Sequence, residues 1–291
     1  MKMKVLLTTD GSEFAEQSIR WFSRLPIAPS STYEIITVGS YQVYGMVPAS
    51  VHAEFVRLER AHALESFQRA AAILQEVGIA TVHVVSLGQP ADEITRYAKV
   101  SKTDLIVVGA HGMSLLARML IGSTSETVAR HAPCSVLVVR GTYSPRSFDS
   151  EPPRITIATD CSDADSQIAA QVNAIGLPKN SQLQLVSVIE HPYLLEPAFE
   201  YDVQITRETS ASMERLAKQL ESSSSNIEKH VFEKVHVGSC ILVFLEKHPT
   251  DIIVLGDKGR SAVGRFFLGS VSRSILHHAP CSVLIAKKRL E

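Results

Sequence analysis

The chain repeats itself, and the repeat sets the scale of anything it can fold into. Shifting the 291-residue sequence by 150 positions brings Asp10 onto Asp160 and Gly88 onto Gly238, and a shift of 147 brings Gly109 onto Gly256. The phrases "LLTTDGS" and "TIATDCS", "EIITVGS" and "LQLVSVI", and "RHAPCSVLVVR" and "HHAPCSVLIAK" pair in the same way. Each copy must therefore bury its own core, and each falls within the roughly 100–200 residues of an ordinary domain. The seam is "GTYSPRSFDSEPP", residues 141–153, rich in Gly, Ser and Pro and without apolar period, as in a linker. The sequence thus divides into a first domain over 1–141, a linker over 142–153 and a second domain over 154–291.

Within each copy, short β-branched runs alternate with helical patterns. This predicts βαβ units around a parallel sheet covered on both faces. In the first copy the predicted strands are "KVLLTT", "YEIITV", "TVHVVSL", "DLIVVG" and "SVLVVR". Between the second and third, residues 50–77 place Leu64, Phe67, Ala71 and Leu74 at helical spacing, which predicts a helix with that face on the sheet. The matching helix of the second copy carries Met213, Leu216, Ala217 and Leu220 and is expected to fray into "SSSSN". "PADEITRYAKV" opens with proline and acids, as helix starts do. Its counterpart "SCILVFLEKH" is apolar nearly all round, which predicts a contact with the other half or with a partner.

Composition excludes several classes. Apolar residues make up 45% and charged residues 20%, the balance of a globular protein. A net charge of -1 gives no basic excess for a nucleic acid. No apolar run approaches the roughly 18 residues of a membrane span, and "MKMKVLLTTDGSE" is too polar for a signal-peptide core. The chain is read as cytoplasmic. Cys134, Cys161, Cys240 and Cys281 show neither CxxC pairing nor a metal-ligand rhythm, so they are read as reduced and mostly buried.

The chemistry lies in the glycines. "VGAHGMSLLARMLIGSTS" sets Gly109, Gly112 and Gly122 ahead of Ser123, Thr124 and Ser125, and "LGDKGRSAVGRFFLGSVS" repeats the spacing with Gly256, Gly259 and Gly269 ahead of Ser270, Val271 and Ser272. Each G-x2-G-x9-G-S pattern follows an apolar strand and precedes a helix, at the strand end where ligands of open α/β sheets bind. A loop around an anion turns its amides inward and needs close approach, and the helix behind it adds unpaired N–H groups and a positive dipole end. Such a site suits phosphate. The hydroxyls either donate to phosphate oxygens or cap the helix. Neither GxxxxGK[ST] nor GxGxxG after a first strand is present.

With "TTDGSE", "GQPADEI", "DLIVVGAHG", "LIGSTS" and "HAPCSVLVVR", the chain resembles the universal stress protein family over nearly its whole length, in the tandem form and the ATP-binding branch. The resemblance implies an α/β fold of two doubly wound domains of the adenine nucleotide alpha hydrolase-like kind, each a five-stranded parallel sheet in the order 3-2-1-4-5. It implies ATP with Mg²⁺, phosphates at Gly112, Gly122, Ser123, Thr124 and Ser125, ribose near Gly109, and adenosine facing Asp10 and the backbone at Val38. The matching set in the second copy is Asp160, Val188, Gly256, Gly259, Gly269, Ser270, Val271 and Ser272. It also implies antiparallel pairing of the edges "SVLVVR" and "SVLIAK", an internal pseudo-dimer open to further homodimerisation.

Some positions depart from the pattern or carry a second reading. Cys161 replaces the glycine after the first-strand aspartate and is expected to narrow that loop. Ala110-His111 in one copy becomes Asp257-Lys258 in the other, where Lys258 is able to pair with a phosphate and Asp257 would oppose one if it pointed inward. His111 is either a ligand contact or a solvent-facing loop histidine, Arg118 and Arg265 are read as solvated, and Asp10 and Asp160 serve equally as loop caps. The leading reading is a nucleotide-responsive stress-response module in which ATP orders the glycine loop and "SYQVYGMVPAS" for an unknown protein partner. No catalytic residue and no metal ligand set is assigned. The alternatives are a slow ATPase or nucleotidyl transferase with Asp10 and Glu13 as its only acids, and an interaction protein with empty pockets.

Overall fold

The computed structural model describes residues 2–26, 31–39, 49–111, 121–140, 151–190, 199–234, 236–258 and 268–288. Gly112, Arg118, Gly259, Arg265, most of the linker and most of "SYQVYGMVPAS" lie outside them. The chain separates into two compact units, one centred on residues 28–142 together with the N-terminal 24 residues, the other on 143–288.

The first unit runs β1 (Lys4–Thr9), α1 (Glu13–Phe22), β2 (Thr32–Gly39), α2 (Ala49–Gln75), β3 (Thr81–Leu87), α3 (Pro90–Val100), β4 (Leu105–Gly109), α4 (Ser123–His131) and β5 (Ser135–Val139). The second runs β6 (Arg154–Ala158), α5 (Ala164–Ile175), β7 (Gln182–Glu190), α6 (Phe199–Leu220), β8 (Asn226–Lys234), α7 (Val237–Lys247), β9 (Ile252–Gly256), α8 (Ser270–His278) and β10 (Ser282–Ala286). All pairings within a unit are parallel. β1 lies between β2 and β4, with β3 outside β2 and β5 beside β4. β6 likewise lies between β7 and β9, with β8 outside β7 and β10 beside β9. The chain thus reverses its direction of travel at β1/β4 and again at β6/β9, the switch points where such sheets open a crevice.

The central strands are apolar almost throughout because both faces are covered, and Val5, Leu6, Leu7, Ile106 and Val136 are fully or nearly fully buried. The outermost strand of the first unit differs from the expectation of two covered faces. On β3, Val82 is 62% and Val85 44% exposed, since a strand paired on one side is reached by fewer helices. Asp104 and Asp251 do the same work in the two copies, each carboxylate accepting a hydrogen bond at 2.8 Å from the backbone amide that opens the central strand, Lys4 and Arg154.

Two helix readings are corrected. On α2 the buried stripe is Ala63, Ser66, Ala70, Ile73 and Leu74, and Leu64 is 48% exposed. The small residues let the helix approach the sheet, and the larger Phe67 is displaced to the flank, where it stacks on His83 at 4.2 Å. On α6 the stripe Met213, Leu216, Ala217 and Leu220 is buried as expected, but the serines behind it do not fray. Ser223 and Ser224 are buried. Their hydroxyls donate to the Asn173 side chain and the Ser181 carbonyl, which fixes the turn before β8. The four cysteines are free thiols, with Cys134 and Cys281 buried and Cys161 and Cys240 half-buried. No described helix is long and apolar enough to cross a membrane.

Candidate functional site

At the C-terminal ends of β1, β2 and β4 the first unit opens a cleft of about 370 Å³. Three separate stretches of the described chain line it. The first is the β1–α1 turn, where Gly11 has φ +76, a left-handed value natural to glycine. A Cβ on Gly11 would also lie 2.3 Å from the Ser66 hydroxyl, so α2 packs directly on the turn. Asp10 Oδ1 accepts hydrogen bonds from the amide and hydroxyl of Ser12, at 3.0 and 2.6 Å, and Ser12 in turn caps α1 by accepting from the Ala15 amide. The aspartate therefore fixes its own loop, as the capping reading has it, and it also lines the cleft.

The second is the end of β2, where Val38 and Gly39 line the wall. The third is the end of β4 together with the start of α4. Gly109 ends the strand, and a Cβ there would approach the Ser18 hydroxyl to 2.9 Å and the His111 carbonyl oxygen to 3.3 Å. The Gly122 amide donates to the Ala110 carbonyl at 2.8 Å, which seats the start of α4 beside the end of β4. Gly122 is the N-cap of α4, and no side chain caps it. The first amides of this helix face the cleft with its positive dipole end.

Ser125 settles part of the choice between capping and ligand contact. Its hydroxyl is buried and donates to the carbonyls of Gly122 and Ala110, at 2.8 and 3.1 Å, so it locks the loop to its own helix. In the second unit the Ser272 hydroxyl instead donates to the Gly256 carbonyl at 2.8 Å, which ties the start of α8 to the end of β9. Ser123 and Thr124 also line the cleft. His111 lies edge-on to Phe14 at 6.0 Å, and burial, helped by the Arg140 charge, holds its pKa below the usual histidine value.

Among the residues expected at the first site, Asp10, Val38, Gly109, His111, Gly122, Ser123, Thr124 and Ser125 all line this one cleft. Sequence reasoning missed the contribution of α2, from which Glu59, His62, Ala63 and Ser66 complete the wall, and of Pro90 and Ile94 from α3. A helical period marks which face of α2 is buried but not which of its polar residues top the sheet. The sequence signal that was available is the small-residue run at 63, 66 and 70, which lets α2 come close.

In the second unit the same backbone frame recurs. Gly256 ends β9, the Gly269 amide donates to the Asp257 carbonyl at 2.8 Å, and Gly269 is the uncapped start of α8, the helix that holds Ser270, Val271 and Ser272. Asp160 Oδ1 accepts from the Ser162 amide at 3.2 Å, and Val188 lies near the C-terminal end of β7. Cys161 keeps the left-handed turn at φ +59 without glycine's freedom. Its thiol lies 3.8 Å from the Ser187 hydroxyl and from the Thr209 carbonyl. Ser187 matches Thr37, which lines the first cleft, so the thiol occupies the flank of the second turn toward β7. Lys258 follows Asp257 at the C-terminal end of β9. No group of three or more His, Cys, Asp or Glu side chains that could hold a metal occurs among the described residues.

A profile of the universal stress protein family matches residues 1–140 and 152–287. Universal stress protein MJ0531 of Methanocaldococcus jannaschii is 32% identical over 141 residues, a match covering 47% of this chain and 81% of that protein. Universal stress protein YxiE of Bacillus subtilis is 30% identical over 145 residues, covering 47% and 98%. The crystal structure of a universal stress protein from Archaeoglobus fulgidus superposes with a TM-score of 0.68 at 20% identity over 98% of both chains, a likeness of fold. The repeat, the parallel sheets and the family profile over both copies agree: the chain belongs to the universal stress protein family and carries two copies of its domain.

Proposed function

We propose that the chain is an ATP-binding regulatory module of the stress response, and that the first cleft takes the nucleotide. The observation that carries this reading is the convergence of Asp10, Val38, Gly109 and the segment 122–125, distant in sequence, on one cleft. The uncapped N-terminus of α4 suits phosphate oxygens. The carboxylates of Asp10 and Glu59 in the same lining suit hydroxyl or amino donors of a nucleoside. Phosphates would meet the amides of Gly122, Ser123, Thr124 and Ser125 together with Gly112. The ribose would lie over Gly109, where a side chain has no room. Mg²⁺ would be carried on the nucleotide's own phosphates.

The second unit would use Asp160, Val188, Gly256, Lys258, Gly259, Gly269, Ser270, Val271 and Ser272 in the same way, with Lys258 adding a cation near the phosphates. Binding rather than turnover is the better reading, because Asp10 spends Oδ1 on its own turn and is poorly placed as a base. The test is to denature the purified chain, look for released adenine nucleotide by chromatography, and titrate the emptied protein with ATP calorimetrically. Released nucleotide or saturable heat is expected. The absence of both would overturn the reading.

A further inference from the structure

The second unit carries a groove beside its strand β8. Between β8 and α7 lies an open cavity of about 490 Å³, with Phe232, Val243, Phe244 and the Cys240 thiol on its walls and Lys234 and Lys247 also lining it. Among the described residues no carboxylate lines it. Phe232 meets Phe244 edge to face at 5.9 Å, and Phe244 stacks on His248 at 4.0 Å, so the apolar wall is a fixed aromatic cluster. Val243 is 47% exposed on this surface. Burial pushes the Cys240 thiol pKa up, against the opposing charge of Lys234.

The duplication supplies the comparison. The strand registers and helix bounds bring Phe232 to the place of Ser86, Cys240 to that of Glu93, Val243 to that of Arg96 and Lys247 to that of Val100. In the first unit Glu93 accepts a hydrogen bond from Ser86 and pairs with Arg96, so the surface satisfies itself. In the second unit Phe232, Cys240 and Val243 stand in place of that polar cluster, and a lysine is added at 247. The change removes an ion pair and adds positive charge around an apolar wall.

We propose that this groove is a ligand site separate from the nucleotide cleft, and that it takes a small organic acid whose aromatic or aliphatic body lies on Phe232, Val243 and Phe244 while Lys234 and Lys247 take its acid group. The volume is that of small-molecule sites in general. The lysines are exposed, so their attraction is salt-screened and serves selection by charge, and the apolar wall supplies most of the affinity.

The test is a fluorescence titration of the full chain with 8-anilinonaphthalene-1-sulfonate, an aromatic sulfonate, with decanoate and decylammonium as competitors. Saturable binding displaced by decanoate and not by decylammonium is expected. Val243→Glu, which sets an acid on the apolar wall at an exposed position, should weaken the probe about tenfold or more, equivalent to about 1.4 kcal/mol. The double change Lys234→Met with Lys247→Met should weaken decanoate and abolish the preference over decylammonium. ATP titration and melting temperature report that the fold is intact. Non-saturable binding, binding indifferent to both variants, or equal displacement by the cation would overturn the proposal. So would a concentration-dependent dimer in sedimentation that Val243→Glu dissolves, because the groove would then belong to a second copy of the chain.

Discussion

Gly122→Val isolates the loop on which the nucleotide reading depends. Gly122 has φ -69 and ψ 150, values open to any residue, so the substitution adds no backbone strain. Space is the constraint. A Cβ would stand 3.3 Å from the Ala110 carbonyl oxygen and 3.4 Å from the Ser125 hydroxyl, and the two methyl groups beyond it must turn toward the cleft or push the start of α4 away from Ala110. Either way the amides of Ser123 and Thr124 leave their line to a phosphate. A hydrogen bond to a charged group contributes about 1.5–3 kcal/mol, so losing one lowers ATP affinity roughly 10- to 100-fold. Valine is also a poorer N-cap than glycine, which costs about 1 kcal/mol and a few degrees of melting temperature. Calorimetric titration with ATP, paired with a thermal melt, measures both. Gly122→Ala should fall between parent and valine. An ATP affinity within twofold of the parent, in a folded Gly122→Val protein, would refute the claim that this turn holds the phosphates.

The β1–α1 turn and its repeat make a reciprocal pair. Gly11→Ala meets both a left-handed φ and the Ser66 hydroxyl, and should lower the melting temperature by several degrees. Cys161→Gly relieves a left-handed residue, a gain of about 1 kcal/mol offset by greater freedom of the unfolded chain, so it should be near neutral. A Gly11→Ala protein as stable as the parent would contradict the close packing of α2. Acid sensitivity is expected from His83 and His111, both held below the usual histidine pKa by burial, His111 also by Arg140. Above pH about 6.5 neither state is protonated at these rings. Below it the unfolded chain takes up protons that the folded one refuses, so stability falls as pH drops from about 6.5 toward 5.5. Urea unfolding across that range should show the fall, and His83→Phe, which keeps the stack on Phe67, should reduce it. A midpoint that rises on acidification would refute the assignment.

The sequence by itself determined the duplication, the strand-and-helix alternation and the backbone positions of the cleft, because repeated phrases, apolar runs and glycine spacings are local properties. Thus Gly109 at the end of β4 and Gly122 at the start of α4 were legible without coordinates. Tertiary structure decided which residues face what. It moved the buried face of α2 onto Ala63, Ser66 and Ala70, because a helix over a sheet settles where its small side chains allow the closest approach. It turned the Ser125 hydroxyl inward, brought Glu59 and His62 to the cleft, and set Phe232, Val243 and Lys247 around one groove on the second unit. Such groupings join residues far apart along the chain, and only the packing of one element on another fixes their distances.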